Sequence, residues 1–300
     1  DLQERKMIEI KNLSKNFGEL KALDNVSFDV EKGELFGVIG QNGAGKSTLF
    51  RSMMNFYDHF DGQILYEGMQ MADIPLEKIG FLPEERSLSP KKTIREEVKF
   101  FARLNQMKNL DEKTLQAYFD RFEIKGSLDD KIKSLSKGNQ QKVQLLASLI
   151  YKPEFLILDE PFSGLDPYNA NLLMGIIKEI NNQGTTIIFS SHNMENVEYL
   201  CDRLIMLKNG KIVLKGSPNE IRNSYEKDLV KVRAEENLSE IFPQYDVKRD
   251  GNLWTIRLEK EEDGREIFDK LVEKLGYLEM FSQEPPSLNE IFARKVEENE

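Results

Sequence analysis

The chain is poor in the residues that build covalent frameworks. It has one cysteine, Cys201, in 300 residues, which excludes an internal disulfide and fits a reducing compartment. It has two histidines, His59 and His192, and a single tryptophan, Trp254. No apolar run approaches about 18 residues, and no secretory-signal pattern opens the sequence. The expectation is a chain that does not itself span a membrane, so that any membrane role comes through a partner. No internal repeat or low-complexity tract is present. Positive charge is also short: 42 Lys and Arg face 52 Asp and Glu, a formal net charge of −10 with a sequence pI near 5.1. That balance argues against a large nucleic-acid footprint. The deficit is uneven. Residues 221–300 hold 13 basic and 20 acidic side chains, net −7, against −3 over residues 1–220. The shift marks two domains, 1–220 and 221–300, in a chain long enough for an ample core.

What is present centres on Gly40-Gln41-Asn42-Gly43-Ala44-Gly45-Lys46-Ser47-Thr48. The apolar run Leu35–Ile39 precedes it and a helical pattern from Leu49 follows. Strand, glycine loop and helix is the context in which G-x-x-x-x-G-K-[ST] binds phosphate. Glycines let successive N–H groups turn inward around an anion, and the helix start adds unpaired donors and a favourable dipole. Lys46 can reach β- and γ-phosphates as a point charge, and the Ser47 hydroxyl can ligate Mg²⁺. A chance match is the competing reading, and the flanking strand and helix argue against it. By itself the loop would suit a kinase or a GTPase equally well.

Upstream, residues 7–39 alternate as short strands with a turn at Glu31-Lys32-Gly33. Phe17 lies in the polar stretch Ser14–Gly18, where it either stacks on a base or packs as a loop aromatic. His59 sits in the turn Asp58–Gly62 and reads as a surface residue. The strand Ile79–Leu82 ends at Pro83, before Glu84. From Thr93 to about Leu128 the periodicity becomes helical, with one apolar stripe through Val98, Phe101 and Ala102 and another through Leu115, Tyr118, Phe119 and Phe122, which predicts two helices in a helical insert over about 90–150. Ser136 is a plausible N-cap for the helix that runs to Tyr151, and Gly138 leaves that helix start open to an anion. Phe155-Leu156-Ile157-Leu158 predicts a buried strand with Asp159 and Glu160 at its C-terminal end, where ligands of α/β sheets bind. Asp159 can hold Mg²⁺ through water, and Glu160 can position or deprotonate an attacking water. His192 closes the strand Thr185–Ser191, at a place where it could meet a γ-phosphate or simply face solvent. Lys208-Asn209-Gly210 signals a hairpin.

Taken in order, these stretches resemble the nucleotide-binding cassette of ABC transporters. The order is phosphate loop (Walker A), Glu84 after a strand, helical insert, Leu135-Ser136-Lys137-Gly138-Asn139, Phe155–Glu160, Ser163-Gly164-Leu165-Asp166 and His192. The match covers about residues 7–220. It implies a P-loop NTPase core of α/β class, with an N-terminal antiparallel β subdomain and a helical insert. It implies ATP hydrolysis with Mg²⁺, in cassettes that pair head to tail. Gly40–Thr48 would bind the triphosphate, with Phe17 on the adenine and Ser47 and Asp159 serving the metal. Glu160 would be the general base, and His192 would contact the γ-phosphate. Ser136, Lys137, Gly138 and Asn139 would act on ATP held by the partner chain, and Asp166 would couple the two sites. Glu84 stands where the family usually has Gln, and either metal binding or contact with a partner subunit is open to it. Lys137 and Asn139 replace the commonest Gly and Gln, while Ser136 and Gly138 are retained.

The tail reads as strand, short helix, two strands joined at Asp250-Gly251, helix 264–275, strand 277–281 and helix 287–296. That is β-α-β-β-α-β, a small α+β domain of ferredoxin-like order. Its ending, Pro286-Ser287-Leu288-Asn289-Glu290-Ile291-Phe292, resembles the accessory domain of exporter-type cassettes whose membrane subunits are separate chains. The resemblance implies an integral membrane partner, a second cassette, no nucleic acid, and a peripheral place on the cytoplasmic face of the cell membrane. A regulatory or dimer-stabilising role is the expectation for the tail. A soluble ABC ATPase acting on ribosomes or DNA is the alternative. A protein that binds nucleotide without hydrolysing it is disfavoured by Glu160 and His192 occurring together.

Overall fold

The computed structural model describes residues 6–298. Its contacts divide the chain into two compact units, Asp1–Gly216 and Ser217–Glu300.

In the first unit two long strands, β1 (Lys6–Phe17) and β2 (Leu20–Glu31), form a hairpin and lead into β3 (Leu35–Ile39). Helix α1 (Lys46–Met53) follows, then β4 (Asp61–Tyr66), β5 (Met69–Gln70) and β6 (Ile79–Leu82). The insert holds α2 (Ile94–Leu104), α3 (Glu112–Arg121) and α4 (Lys137–Leu149). The unit closes with β7 (Phe155–Leu158), α5 (Pro167–Asn182), β8 (Thr186–Ser191), α6 (Met194–Leu200), β9 (Arg203–Lys208) and β10 (Lys211–Gly216).

Two sheets result. One is antiparallel, in the order β2-β1-β4-β5. The other runs β10-β9-β3-β8-β7-β6, parallel except for its β10 edge. Strands β3, β7 and β8 are buried along their whole length, as expected of strands covered on both faces, with Ile187–Phe189 the apolar centre of β8. Leu49, Phe50 and Met53 of α1 join one core cluster with Ile8, Ile10 and Phe28 of the antiparallel sheet and Val38, Ile188 and Ile205 of the parallel sheet. α1 is therefore held from both sides. Each such buried side chain contributes about 1.5–3 kcal/mol of transfer free energy.

Helix starts follow local chemistry. Thr93 and Glu96 form a capping box at α2, and Asp111, Ser136, Asp166 and Asn193 cap α3, α4, α5 and α6 through their side chains. α1 has no side-chain cap. It begins at Gly45, in the left-handed region at φ 110°, where a Cβ would also lie 2.7 Å from the Ala22 carbonyl.

The structure lengthens one expected element. β1 continues to Phe17 through the polar stretch, because side chains replace missing ladder bonds where the register slips. The N–H of Asn12 donates to Ser27 Oγ, and that of Asn25 to Ser14 Oγ, both at 2.8 Å. Phe17 is thus the last residue of a strand, fixed by a tight hairpin. The two helices expected over Thr93–Leu128 are α2 and α3, separated by residues 105–111.

The second unit contains α7 (Pro218–Asn223), β11 (Leu229–Arg233), α8 (Leu238–Ile241), β12 (Asp246–Asp250), β13 (Leu253–Arg257), α9 (Asp263–Leu275), β14 (Met280–Glu284) and α10 (Leu288–Glu297). Its sheet is antiparallel throughout, in the order β12-β13-β11-β14. That is the split order of a ferredoxin-like β-α-β-β-α-β unit. Val230, Val232, Trp254 and Ile256 meet Leu238, Ile267 and Leu271 in its core. The last strand starts three residues later than expected, at Met280. The left-handed Gly276 ends α9, Tyr277 stands exposed, and pairing with β11 draws in the polar Ser282–Glu284.

β6 carries a packing constraint. A Cβ at Gly80 would lie 2.4 Å from the Ser148 carbonyl, so α4 rests directly on this strand. Gly80→Ala is expected to destabilise the cassette by about 1–3 kcal/mol through overpacking. Gly175→Ala, in α5 with nothing within 4 Å, should stabilise it by up to about 1 kcal/mol. Denaturant midpoints of the two variants, compared with the parent, should shift in opposite directions.

Candidate active site

The parallel register sets the site. Ile39 pairs with Ser191, Leu158 with Phe189, and Leu82 with Leu158. The C-terminal ends of β3, β8, β7 and β6 therefore sit side by side. From them emerge Gly40–Thr48, Ser190–His192, Asp159–Glu160 and Pro83–Glu84.

A cavity of about 1010 Å³ opens above these ends. It is lined by Asn42, Gly43, Gly45, Lys46, Ser47 and Thr48 of the loop, by Glu84 and Glu160, and by Phe17 at its far side. Lys46 is buried, and its Nζ donates to the carbonyls of Gly40 at 2.7 Å and Gln41 at 3.2 Å. The same ammonium lies 3.4 Å from Glu160 Oε1, which is buried and has no hydrogen-bond partner among the described residues. The other Glu160 oxygen is 2.9 Å from His192 Nδ1, on an exposed imidazole. Glu160 has φ 49°, a left-handed conformation that costs a non-glycine residue roughly 1 kcal/mol or more. It turns the chain sharply at the strand end and aims the carboxylate back at the loop.

Ser190 stabilises that turn. Its hydroxyl accepts the Glu160 N–H at 2.8 Å and donates to Asp159 Oδ1 at 2.6 Å. One buried hydroxyl thereby orients both acids. The Ser47 hydroxyl donates to Glu84 Oε2 at 3.4 Å. Among the described residues no cluster of three or more His, Cys, Asp or Glu could hold a metal by itself. The oxygens present, one hydroxyl and two carboxylates, instead fit Mg²⁺ shared with phosphate oxygens and water, the usual manner of binding this ion.

At the far side, Phe17 leaves a ring face exposed and meets Tyr57 edge-on, with centroids 5.2 Å apart. Lys15 Nζ lies about 5 Å from both rings and donates to the His59 carbonyl. Below the loop, the β9–β10 turn braces it: Gly210 N–H donates to the Ala44 carbonyl at 3.0 Å.

Ser136, Lys137, Gly138, Asn139 and Asp166 do not line this cavity. They gather elsewhere on the unit. Ser136 accepts the Asn139 N–H at 3.2 Å, and a Cβ on Gly138 would meet Leu165 at 3.5 Å and Asn169 at 3.9 Å. Asp166 accepts the Asn169 N–H at 3.0 Å, and that bond holds its carboxyl below the usual range. Ser136, Gly138 and Asp166 thus belong to one outward-facing surface.

Sequence reasoning missed Ser190, Tyr57 and the brace at Gly210. Ser190 had a signal, a polar residue directly after the apolar run Ile187–Phe189 of a buried strand. Tyr57 had none, because only the folded hairpin brings it beside Phe17.

A glycine phosphate loop on a parallel sheet, with its lysine and two strand-end carboxylates around one cavity, defines a nucleotide-binding P-loop ATPase. The sequence narrows this further. Residues 23–163 match the family described as ABC transporter, and residues 216–296 match the C-terminal domain described as ATP-binding protein DrrA1-3-like. An uncharacterized ABC transporter ATP-binding protein of Bacillus subtilis, YhaQ, is 40% identical over 97% of this chain and 98% of its own length. The linearmycin resistance ATP-binding protein LnrL of the same organism is 32% identical over 72% of this chain and 70% of its length. A dimeric structure of MJ0796, a bacterial ABC transporter cassette, superposes with a TM-score of 0.64 at 25% identity, covering 70% of this chain and 98% of that one. The chain belongs to the ABC transporter ATP-binding proteins.

Ser190→Ala removes the bridge between Asp159 and Glu160 while leaving the cavity wall intact. Turnover should fall by about ten- to a hundred-fold, the usual effect of losing a group that orients a metal-side ligand. Steady-state hydrolysis should show this in kcat, with the KM for ATP little changed.

Proposed function

We propose that this chain is the ATP-hydrolysing subunit of an ABC exporter, working as a head-to-tail pair of cassettes on the cytoplasmic face of a membrane. The observation that carries the reading is Glu160. Its carboxylate stands between His192 and Lys46 at the mouth of the phosphate loop, held there by Ser190.

In this reading Gly40–Thr48 wraps the triphosphate, and Lys46 exchanges its bonds to Gly40 and Gln41 for phosphate oxygens. Phe17 offers its free face to the adenine, while Tyr57 and Lys15 keep the ring in place. Ser47, with Asp159 through water, holds Mg²⁺, and Glu84 adds a carboxylate on the same side. The ion supplies charge neutralisation across the β- and γ-phosphate oxygens when bound. Glu160 orients the attacking water and accepts its proton, and His192 steadies that carboxylate and reaches the γ-phosphate. Most of the catalysis is positioning and charge stabilisation.

The outward surface of Ser136, Lys137, Gly138 and Asn139 has no work in its own cavity. Brought to the cavity of a second chain, its capped helix start offers N–H donors to that chain's γ-phosphate. Asp166, packed beside it, would report that contact back. Dimerisation then depends on ATP.

No helix among the described residues is long and apolar enough to cross a membrane; in this reading a separate membrane subunit carries the transport path. Residues 1–220 would be the cassette and 221–300 an accessory domain. Export is supported by the likeness of the ending Pro286–Phe292 to the accessory domain of exporter-type cassettes and by a relative named for linearmycin resistance.

Glu160→Gln should abolish turnover, retain ATP binding and give an ATP-stabilised dimer on size exclusion. Undiminished hydrolysis in that variant would sink the general-base assignment. In fractionated cells the chain should travel with an integral membrane protein; travel with ribosomes or DNA would favour the soluble alternative.

A further inference from the structure

α4 bears Gln141 and Gln144, three residues apart and so on one helical face, both almost fully buried. Gln144 Nε2 donates to the carbonyls of Pro83 at 3.3 Å and Glu85 at 3.0 Å, the two residues that flank Glu84. Gln141 Nε2 donates to the Pro161 carbonyl at 3.0 Å, one residue past Glu160. One face of one helix thus grips both loops that carry outlying carboxylates of the cavity.

The grip on Glu84 is not explained by packing. Gln144 Oε1 is buried without a hydrogen-bond partner among the described residues. An amide that spends its donors and orphans its oxygen costs stability relative to an apolar side chain of similar size. Glu84 itself is exposed, and its hydrogen bond to Ser47 is long, so the backbone on either side sets where the carboxylate stands. That backbone has little slack. α4 rests on β6 at Gly80, and β6 runs directly into Pro83. The start of α4, capped by Ser136, lies eight residues or about 12 Å of helix from Gln144.

We propose that Gln144 is a positioning residue that makes the Glu84 carboxylate follow α4. Whatever the Ser136 end of the helix meets then sets the place of Glu84 beside Ser47. The capped start of one rigid helix and the Gln144 face midway along it thereby join the surface offered to another chain and the metal side of this chain's own cavity. This inference rests on the reading of Glu84 as a metal-side carboxylate.

The test uses the full chain carrying Glu160→Gln, so that bound ATP persists. Mn²⁺ replaces Mg²⁺ as a paramagnetic ion of the same oxygen preference, and protein-bound Mn²⁺–ATP is titrated by electron paramagnetic resonance. Glu84→Ala and Gln144→Leu should each weaken Mn²⁺ binding by about ten-fold, the lower end of what loss of a ligand's support costs. The double variant should be no weaker than Glu84→Ala alone, as expected when one residue acts through the other. ATP binding without metal should not change. If Gln144→Leu does not fold, Gln144→Glu sets an acceptor against the same two carbonyls and should give the same loss. If Glu84→Ala leaves Mn²⁺ binding unaltered, the metal reading of Glu84 falls and this inference falls with it. If Glu84→Ala weakens binding but the Gln144 variants do not, or if the effects add, the role of Gln144 alone is overturned.

Discussion

The parallel pairing of β6, β7, β8 and β3 is the constraint on which the site depends. Each strand hands its next residue to the same edge of the sheet, and the hydrogen-bond register decides which residue that is. Leu82, Leu158 and Phe189 are brought level, and Ile39 lies level with Ser191 two residues on, so Glu84, Asp159, Ser190 and Gly40 emerge at the same edge. A slip of one residue in any pair would bury a carboxylate or withdraw the loop, because side chains alternate between faces. The buried apolar runs of β3, β7 and β8 oppose such a slip, and α1, clamped between two sheets, locks the loop at its far end.

Within that frame the chemistry is concentrated in a few exchanges between buried polar groups. Lys46 faces Glu160, Glu160 faces His192, and the Ser190 hydroxyl joins the backbone of Glu160 to the side chain of Asp159. Such networks are strong when every member is matched and costly when one is not. Two acceptors around the site lack hydrogen-bond partners among the described residues, Glu160 Oε1 and Gln144 Oε1. One stands where a reacting water would be oriented, and the other on the helix that ties the cavity to the outward surface of Ser136 and Gly138. Glu97 Oε2 and Asp228 Oδ1, which do not line the cavity, are unmatched as well, and the apolar core offsets the cost of all four.

Much of this was legible from residue order. The phosphate loop announces itself because its spacing is fixed by local geometry, glycines at turns and a lysine one helical residue in. The helix start capped by Ser136 is equally local, one side chain bonding an N–H three residues on. Less legible were elements whose ends depend on a neighbour. β1 runs past its apolar alternation to Phe17 because Ser14, Ser27 and Asn12 lend side-chain bonds to the ladder. β14 starts at Met280 because its partner β11 lies there, and Ser282–Glu284 carry no strand signal of their own. The Phe17–Tyr57 pair and the Gly210 brace could not be read from any window, since each joins segments dozens of residues apart.

The sequence by itself determined the class of chemistry: a loop that binds phosphate, two acids at a strand end, a histidine after a strand, and a signature helix start. It did so because phosphate binding and helix capping are short-range, satisfied within a few residues of backbone. Only the tertiary structure decided which of these residues share a cavity. It put Phe17, Glu84 and Glu160 around one opening and placed Ser136, Gly138 and Asp166 on a separate surface, because sheet register and helix packing, not spacing along the chain, set the distances between them.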